Sequence, residues 1–147
     1  MKSRMALFLV SALLLINGIP AWADTIASPE PAFDNPRKLV IQLNTGDVKQ
    51  QEAVFNNVSN LLKFYENNVR MAVVVFGQGI DVVLKGSAFN ERIQSLKAYD
   101  VEFIACGNTL KVRQKTKDDL LPGVGYATAG LAEIAERQLS GWVYLRP

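Results

Sequence analysis

The sequence predicts an α/β fold, a three-layer α/β/α domain built on a mostly parallel sheet of about five strands. The first observation is that short apolar runs alternate along the chain with segments of helical periodicity. The second is Met71–Phe76, MAVVVF, which is apolar at every position and therefore suits a central parallel strand covered on both faces. Together these observations predict helices on both sides of the sheet.

The first half of the domain is predicted to hold two strands joined by a long helix. Lys38–Leu43, a short β-branched and apolar run, is the first strand. From Val48 to about Glu66, apolar side chains recur on one helical face, and Asp47 is placed to act as the N-cap. Met71–Phe76 is the second strand, and Asp81–Lys85 is predicted to form a turn of helix.

The second half continues the alternation, with helix signals at Asn90 and a helix stop at Gly141. The predicted elements are, in order, a helix at 90–98 capped by Asn90, a strand at 101–105, a short helix at 107–114, a brief strand around 124, a helix at 126–139 and a strand at 142–145. The buried stripe predicted for the last helix includes Leu131, Ile134 and Ala135.

The first 23 residues have the pattern of a cleavable secretory signal peptide. Lys2 and Arg4 form a basic start, residues 5–16 are almost entirely apolar, and residues 21–23 are an A-x-A cleavage site. The apolar run is shorter than the roughly 20 residues of a membrane span. We therefore expect cleavage after Ala23, a periplasmic or secreted protein, and no stable membrane span afterwards. Residues 24–37, rich in proline and alanine, are predicted to be an extended leader to a domain at 38–147.

Charge and composition exclude several classes of function. The chain has 16 basic and 14 acidic residues, and the predicted signal holds two of the basic ones and none of the acidic ones, which leaves 14 of each sign. A net charge near zero argues against nucleic acid as a partner. The absence of histidine excludes Ser-His-Asp and Cys-His catalysis, and with a single cysteine it excludes the common zinc sites. We predict no metal and no cofactor.

Three loops are predicted to leave the carboxyl edge of the sheet, where parallel α/β proteins bind ligands. They carry small polar residues and glycines, and the candidate binding residues are Asn44, Thr45, Gly46, Gly77, Gly79, Gly107, Asn108 and Thr109. The alternative for residues 44–47 is an ordinary strand-to-helix turn with its N-cap. Gly77-Gln78-Gly79 does not extend into a dinucleotide motif, because Val82 stands where the third glycine is needed.

Cys106, the only cysteine, is the predicted catalytic residue. It stands between a predicted strand and a predicted helix, where amide groups favour a thiolate, which is the nucleophilic form of the side chain. A thiolate can also carry a sulfane sulfur as a persulfide. The alternative is a buried, inert cysteine, since free cysteines are among the most buried residues.

The series KLVIQLNTGD, MAVVVFGQGID and VEFIACGNTL, followed by a glycine-rich turn into a last helix and strand, resembles the DsrE/DsrF-like family over Lys38–Leu145. The resemblance implies a three-layer domain that associates into dimers, trimers or hexamers. For the characterised members it also implies sulfur transfer through a cysteine persulfide, a role that falls by position on Cys106. Those members act in the cytoplasm, whereas this chain has the pattern of an exported protein.

Two hypotheses of function follow. The first is an exported sulfur carrier or sulfurtransferase-like subunit that uses Cys106 and meets a sulfur donor or acceptor protein, or a small sulfur species. The second is a non-catalytic, homo-oligomeric module of the same fold that binds a small ligand or serves in assembly.

Overall fold

The computed structural model describes residues 25–147, and the signal peptide predicted for residues 1–23 lies outside them. The chain divides after Glu30, and Pro31–Pro147 forms a compact unit. Residues 31–36 of the predicted leader are therefore part of this unit, where Ala32 and Asn35 form an antiparallel bridge. No helix among residues 25–147 has the length and apolar character needed to cross a bilayer.

The centre of the unit is a five-stranded sheet in which every neighbouring pair is parallel, as predicted. Its order is β4-β3-β2-β1-β5, so the chain moves outward from β1 to β4 and then returns to the other side of β1. The strands are β1 Arg37–Leu43, β2 Val69–Val75, β3 Glu102–Cys106, β4 Gly125–Ala127 and β5 Val143–Leu145.

Helices connect consecutive strands. The α-helices are α1 Val48–Phe64, α2 Asn90–Lys97, α3 Gly107–Val112 and α4 Gly130–Leu139, and the two 3₁₀ helices are Gly77–Val83 and Lys117–Asp119. Alternate residues of the strands enter two separate cores, since successive side chains of a strand point to opposite faces. One core receives α1, α2 and α3, and the other receives Ile134 of α4 against Val40 and Val74. The predicted three-layer arrangement is confirmed.

The start of α4 differs from the prediction. The predicted helix began at Tyr126, but Gly125–Ala127 pairs with β3 as strand β4, and α4 begins only at Gly130. Ile134 is buried as expected, whereas Leu131 is 64% exposed and Ala135 is also exposed, so the predicted burial of these two is wrong. The helix packs through the side that carries Gly130 and Ile134, because its first residue lies directly on the sheet.

The start of α2 also differs from the prediction. Asn90 is the first residue of the helix and not its cap, and Phe89 occupies the N-cap position without a side-chain hydrogen bond. Ser87 stabilises the turn before the helix, because its hydroxyl accepts a hydrogen bond from the Phe89 amide at 3.1 Å. The helix is therefore entered through a serine turn.

Candidate functional site around Cys106

Cys106 is the last residue of β3, and α3 begins at the next residue. The apolar run that precedes it forms a central strand between β2 and β4, which places the sulfur at the carboxyl edge of the sheet. Only 6% of the residue is exposed. The thiol is therefore free of any disulfide and covered by protein, although it stands at the edge where the notably polar loops begin.

The covered sulfur has hydrogen-bond donors. The amide of Gly130, the first residue of α4, donates to the Cys106 Sγ at 3.2 Å. Burial raises the pKa of the Cys106 thiol, but the Gly130 amide, the Thr109 hydroxyl and the amides of Thr109 and Asn108 lower it, and together they hold the pKa below its ordinary value. The leading contacts that lower the pKa are hydrogen bonds, which favour the thiolate over the neutral thiol.

The approach of α4 to the sulfur requires glycine at position 130. A Cβ atom there would lie 3.1 Å from the Cys106 Cβ and 3.2 Å from the Val74 Cγ1, with Phe76 close behind. These distances are tighter than ordinary van der Waals contacts, so a larger residue would push α4 away from the sheet. The small residue is what allows the Gly130 amide to reach Cys106.

The loop after β2 is joined to the cysteine through Thr109. The amide of Gly77 donates to the Thr109 Oγ1 at 3.0 Å, and the same hydroxyl contributes to lowering the pKa of Cys106. Gly79 packs so closely on the end of β1 that a Cβ atom would lie 2.6 Å from the Leu43 Cδ2 and 2.8 Å from the Leu43 carbonyl oxygen. Gly79 is therefore a packing residue.

The loop after β1 serves mainly as a turn. Asp47 caps α1, with its Oδ1 accepting from the Gln50 amide at 3.0 Å, which confirms the predicted N-cap. The Thr45 hydroxyl accepts a hydrogen bond from the Asp47 amide at 3.1 Å. The Thr45 carbonyl accepts one from the side-chain amide of the buried Gln51 at 2.9 Å. Gly46 faces Gln78 of the neighbouring loop, and Asn44 is exposed.

The α3 side of the site is ordered by contacts with the β4 segment. The Asn108 amide donates to the Thr128 carbonyl at 2.9 Å. Gly107 lies under the hydroxyl of Tyr126, so a side chain at position 107 would require the tyrosine ring to move, and Lys117 Nζ stands 4.0 Å from the centre of that ring. These contacts fix the helix turn whose amides face the sulfur.

The three predicted loops thus meet at one edge, but with unequal roles. Asn108 and Thr109 act on the sulfur of Cys106, Gly77 reaches the site through Thr109, and Gly107 packs under Tyr126. Asn44, Thr45, Gly46 and Gly79 make turn and packing contacts and are not among the hydrogen-bond partners of the sulfur. Gly130 was missed, because the predicted helix ran through it without a start. A glycine inside that helical pattern was the available signal.

The comparisons with known proteins agree on the fold. The model of the DsrE/DsrF-like family matches residues 37–147. A protein of unknown function, MTH1491 from Methanobacterium thermoautotrophicum, is 33% identical, and the alignment covers 76% of this chain and 99% of that one with a TM-score of 0.73.

The ychN protein from E. coli is 20% identical, with the same shares covered and a TM-score of 0.66, which is a likeness of fold alone. Among proteins with curated functions, none matches this chain.

Proposed function

Since this chain belongs to the DsrE/DsrF-like family, we propose that it accepts or carries sulfur through Cys106. The observation that carries the proposal is the hydrogen bond from the Gly130 amide to the Cys106 Sγ at 3.2 Å. A buried cysteine with no chemical task needs no such donors, whereas a thiolate or a persulfide anion does. The export pattern of the first 23 residues supports placing this activity in the periplasm or outside the cell.

The proposed step is an exchange of sulfane sulfur. The Cys106 thiolate attacks the outer sulfur of a donor persulfide R–S–SH. A new S–S bond forms between Cys106 and that sulfur, and the S–S bond of the donor breaks, so that R–S⁻ leaves. The charge passes from Cys106 to the leaving thiolate, and no oxidant is consumed. The Gly130 amide and the hydroxyl and amide of Thr109 stabilise the anion before the attack and again when the persulfide ionises.

Burial sets a condition on the donor. With 6% of the residue exposed, Cys106 admits a small sulfur species or the tip of a donor chain more readily than a broad protein surface. Entry requires a small displacement of the surrounding loops, among which the α3 turn and the start of α4 lie against the sulfur. The proposed donor is therefore small at the point where it meets Cys106.

Mass spectrometry of the native protein after incubation with inorganic polysulfide tests the proposal. We expect one added sulfur atom that a reductant removes and that is absent from Cys106→Ser. Alkylation of the native protein across pH should show that the thiol ionises below the range of a free model thiol. Absence of the added sulfur, together with a thiol that reacts only after denaturation, would contradict sulfur handling.

An observation on α4 also supports the second candidate function, assembly with a second copy of the chain, and we propose it as a companion role. The inner side of α4 carries Gly130 and Ile134, but the opposite side is also apolar, with Leu131 64% and Leu139 82% exposed and Ala135 exposed between them. Three exposed apolar residues on one side of a surface helix form a stripe that a second chain can cover.

The spacing of these residues fits a symmetric contact. Leu131 and Leu139 stand four residues before and after Ala135. In an antiparallel pair of α4 helices, Leu131 of one copy would therefore face Leu139 of the other. The charged residues Glu133 and Arg137 bond to each other and do not enter this surface. One helix face supplies less than the roughly 800 Å² per partner of a standard interface, so we expect a concentration-dependent association.

Sedimentation over a range of concentrations tests the contact. Leu139→Glu should raise the dissociation constant by about tenfold or more, because a charge would be buried within the contact, opposite Leu131 of the second copy. Val112→Glu is the matched control, since Val112 is equally exposed at 82% but lies on α3. A wild-type monomer at every concentration, or equal effects of both substitutions, would contradict assembly through α4.

A further inference from the structure

A large crevice lies at the amino-terminal edge of the sheet, opposite the edge that carries Cys106. Its volume is about 1060 Å³, and it is bordered by the first residues of β1, β2 and β3 and by the turn that precedes β1. Because a volume of this size is enough for a small organic molecule, the crevice is a second candidate site. None of the residues that surround the sulfur contributes to it.

Two basic side chains line the crevice next to each other. Lys38 of β1 and Arg70 of β2 are register partners in the parallel pair, so their side chains leave the same face of the sheet side by side. Like charges directly across a strand pair repel, and neither side chain has an ion pair among the described residues. A bound anion would remove this repulsion.

The other charged residues of the crevice limit the charge of the ligand. Glu102 is held by Arg137 at 2.7 Å, and Lys97 donates to the Pro122 carbonyl at 2.8 Å. Asp34 and Asp100 also line the crevice, and within residues 25–147 neither lies within ion-pair distance of a cation. Because these two carboxylates would repel a polyanion, the site favours a single negative charge.

Aromatic side chains complete the lining. Phe33 is 95% exposed and Tyr99 is 54% exposed, and both border the crevice. A phenylalanine so fully exposed has no packing role within the compact unit. Flat apolar groups stack favourably on such rings, so the lining combines a basic pair with aromatic surface.

We propose that this crevice binds a small organic anion that joins one carboxylate or phosphate-type group to a flat apolar ring. Arg70 and Lys38 take the anionic group, Arg70 through its planar fork of donors, and Phe33 and Tyr99 contact the ring. The proposal is independent of sulfur handling at Cys106, since the two sites share no residue.

The test is an NMR titration of the protein with three probes of matched shape or charge. Benzoate has both the ring and the charge, acetate has the charge alone, and benzamide has the ring alone. We expect benzoate to shift the amide signals of crevice residues and to bind about tenfold more tightly than either of the others, because both contacts are needed. Equal binding of benzoate and acetate would overturn the role of the aromatic residues.

Variants locate the binding. Arg70→Gln and Lys38→Gln should each weaken benzoate binding about fivefold or more, because each removes a charge-assisted hydrogen bond. Lys49→Gln is the matched control, since Lys49 is an exposed lysine in the first turn of α1, at the far edge of the sheet. All these positions are exposed, so the variants should fold. No benzoate shifts in the crevice, or the same loss in all three variants, would overturn the proposal.

Discussion

At the scale of single residues, Cys106 is governed by a competition between burial and hydrogen bonding. Burial raises the pKa of its thiol, and hydrogen bonds from Gly130 and Thr109, with a smaller effect of the Asn108 backbone, outweigh it. Thr109 has a double part in this balance, because its hydroxyl accepts from the Gly77 amide at 3.0 Å and also bonds to the sulfur. The residue therefore couples the loop after β2 to the acidity of the cysteine.

Thr109→Val keeps the shape of the side chain and removes its hydroxyl. We expect the pKa of Cys106 to rise toward that of an ordinary thiol, because one lowering contact is lost while burial remains. The Gly77 amide also loses its acceptor, at a cost of about 1 kcal/mol in the free energy of unfolding. The pH dependence of alkylation reports the first effect, and urea unfolding reports the second.

Thr109→Ser is the control for this prediction, since it retains the hydroxyl and loses only a methyl group. Its alkylation profile should follow that of the wild type. If Thr109→Val leaves the profile unchanged, the hydroxyl has no part in the acidity of Cys106.

At the scale of elements, α4 is the helix on which the site depends. Its first amide bonds to Cys106, its side chain Ile134 fills the second core, and Arg137 ties its last turn to β3. Arg137 bonds to Glu102 and to Glu133, each at 2.7 Å, and its guanidinium lies 4.4 Å from the centre of the Trp142 ring. This side chain is only 15% exposed, so its contacts are partly shielded from water.

Arg137→Met keeps much of the aliphatic packing and removes the charge. We expect a loss of about 2 kcal/mol in the free energy of unfolding, because two carboxylates lose a partly buried partner. Arg113→Met is the comparison, since Arg113 pairs with Asp81 at 2.6 Å in a solvent-exposed position where such pairs contribute at most about 1 kcal/mol. Urea denaturation of both variants measures the difference, and equal losses would show that Arg137 has no special role.

At the scale of the whole molecule, the sequence was sufficient for the class of fold and for the edge that carries Cys106. The fully apolar run of β2 and the alternation of strands and helices depend on local periodicity, which a sequence displays directly. The exposure of Leu131 and the contact of Gly130 with Cys106 depend on how α4 sits on the sheet. The contact of Gly130 with Cys106 joins residues 24 positions apart, and local periodicity does not predict contacts over that separation.

The acidity of Cys106 also makes a prediction for the stability of the whole domain. Its pKa is lower in the folded protein than in the unfolded chain, so ionisation favours the folded state. This contribution is fully present above the ordinary thiol pKa and is lost as the pH falls through the lowered pKa of the folded state. The stability of the wild type relative to Cys106→Ser should therefore increase as the pH rises between these two values and then level off.

Urea unfolding of both proteins at several pH values measures this difference, and the serine variant cancels every other titrating group that the two proteins share. A difference that stays constant with pH would mean that the donors around the sulfur do not distinguish thiol from thiolate. A difference that shrinks toward alkaline pH would mean that burial outweighs the hydrogen bonds and that the pKa is raised in the folded state. Either result would remove the chemical basis for sulfur transfer at Cys106 while leaving the crevice at the other edge of the sheet untouched.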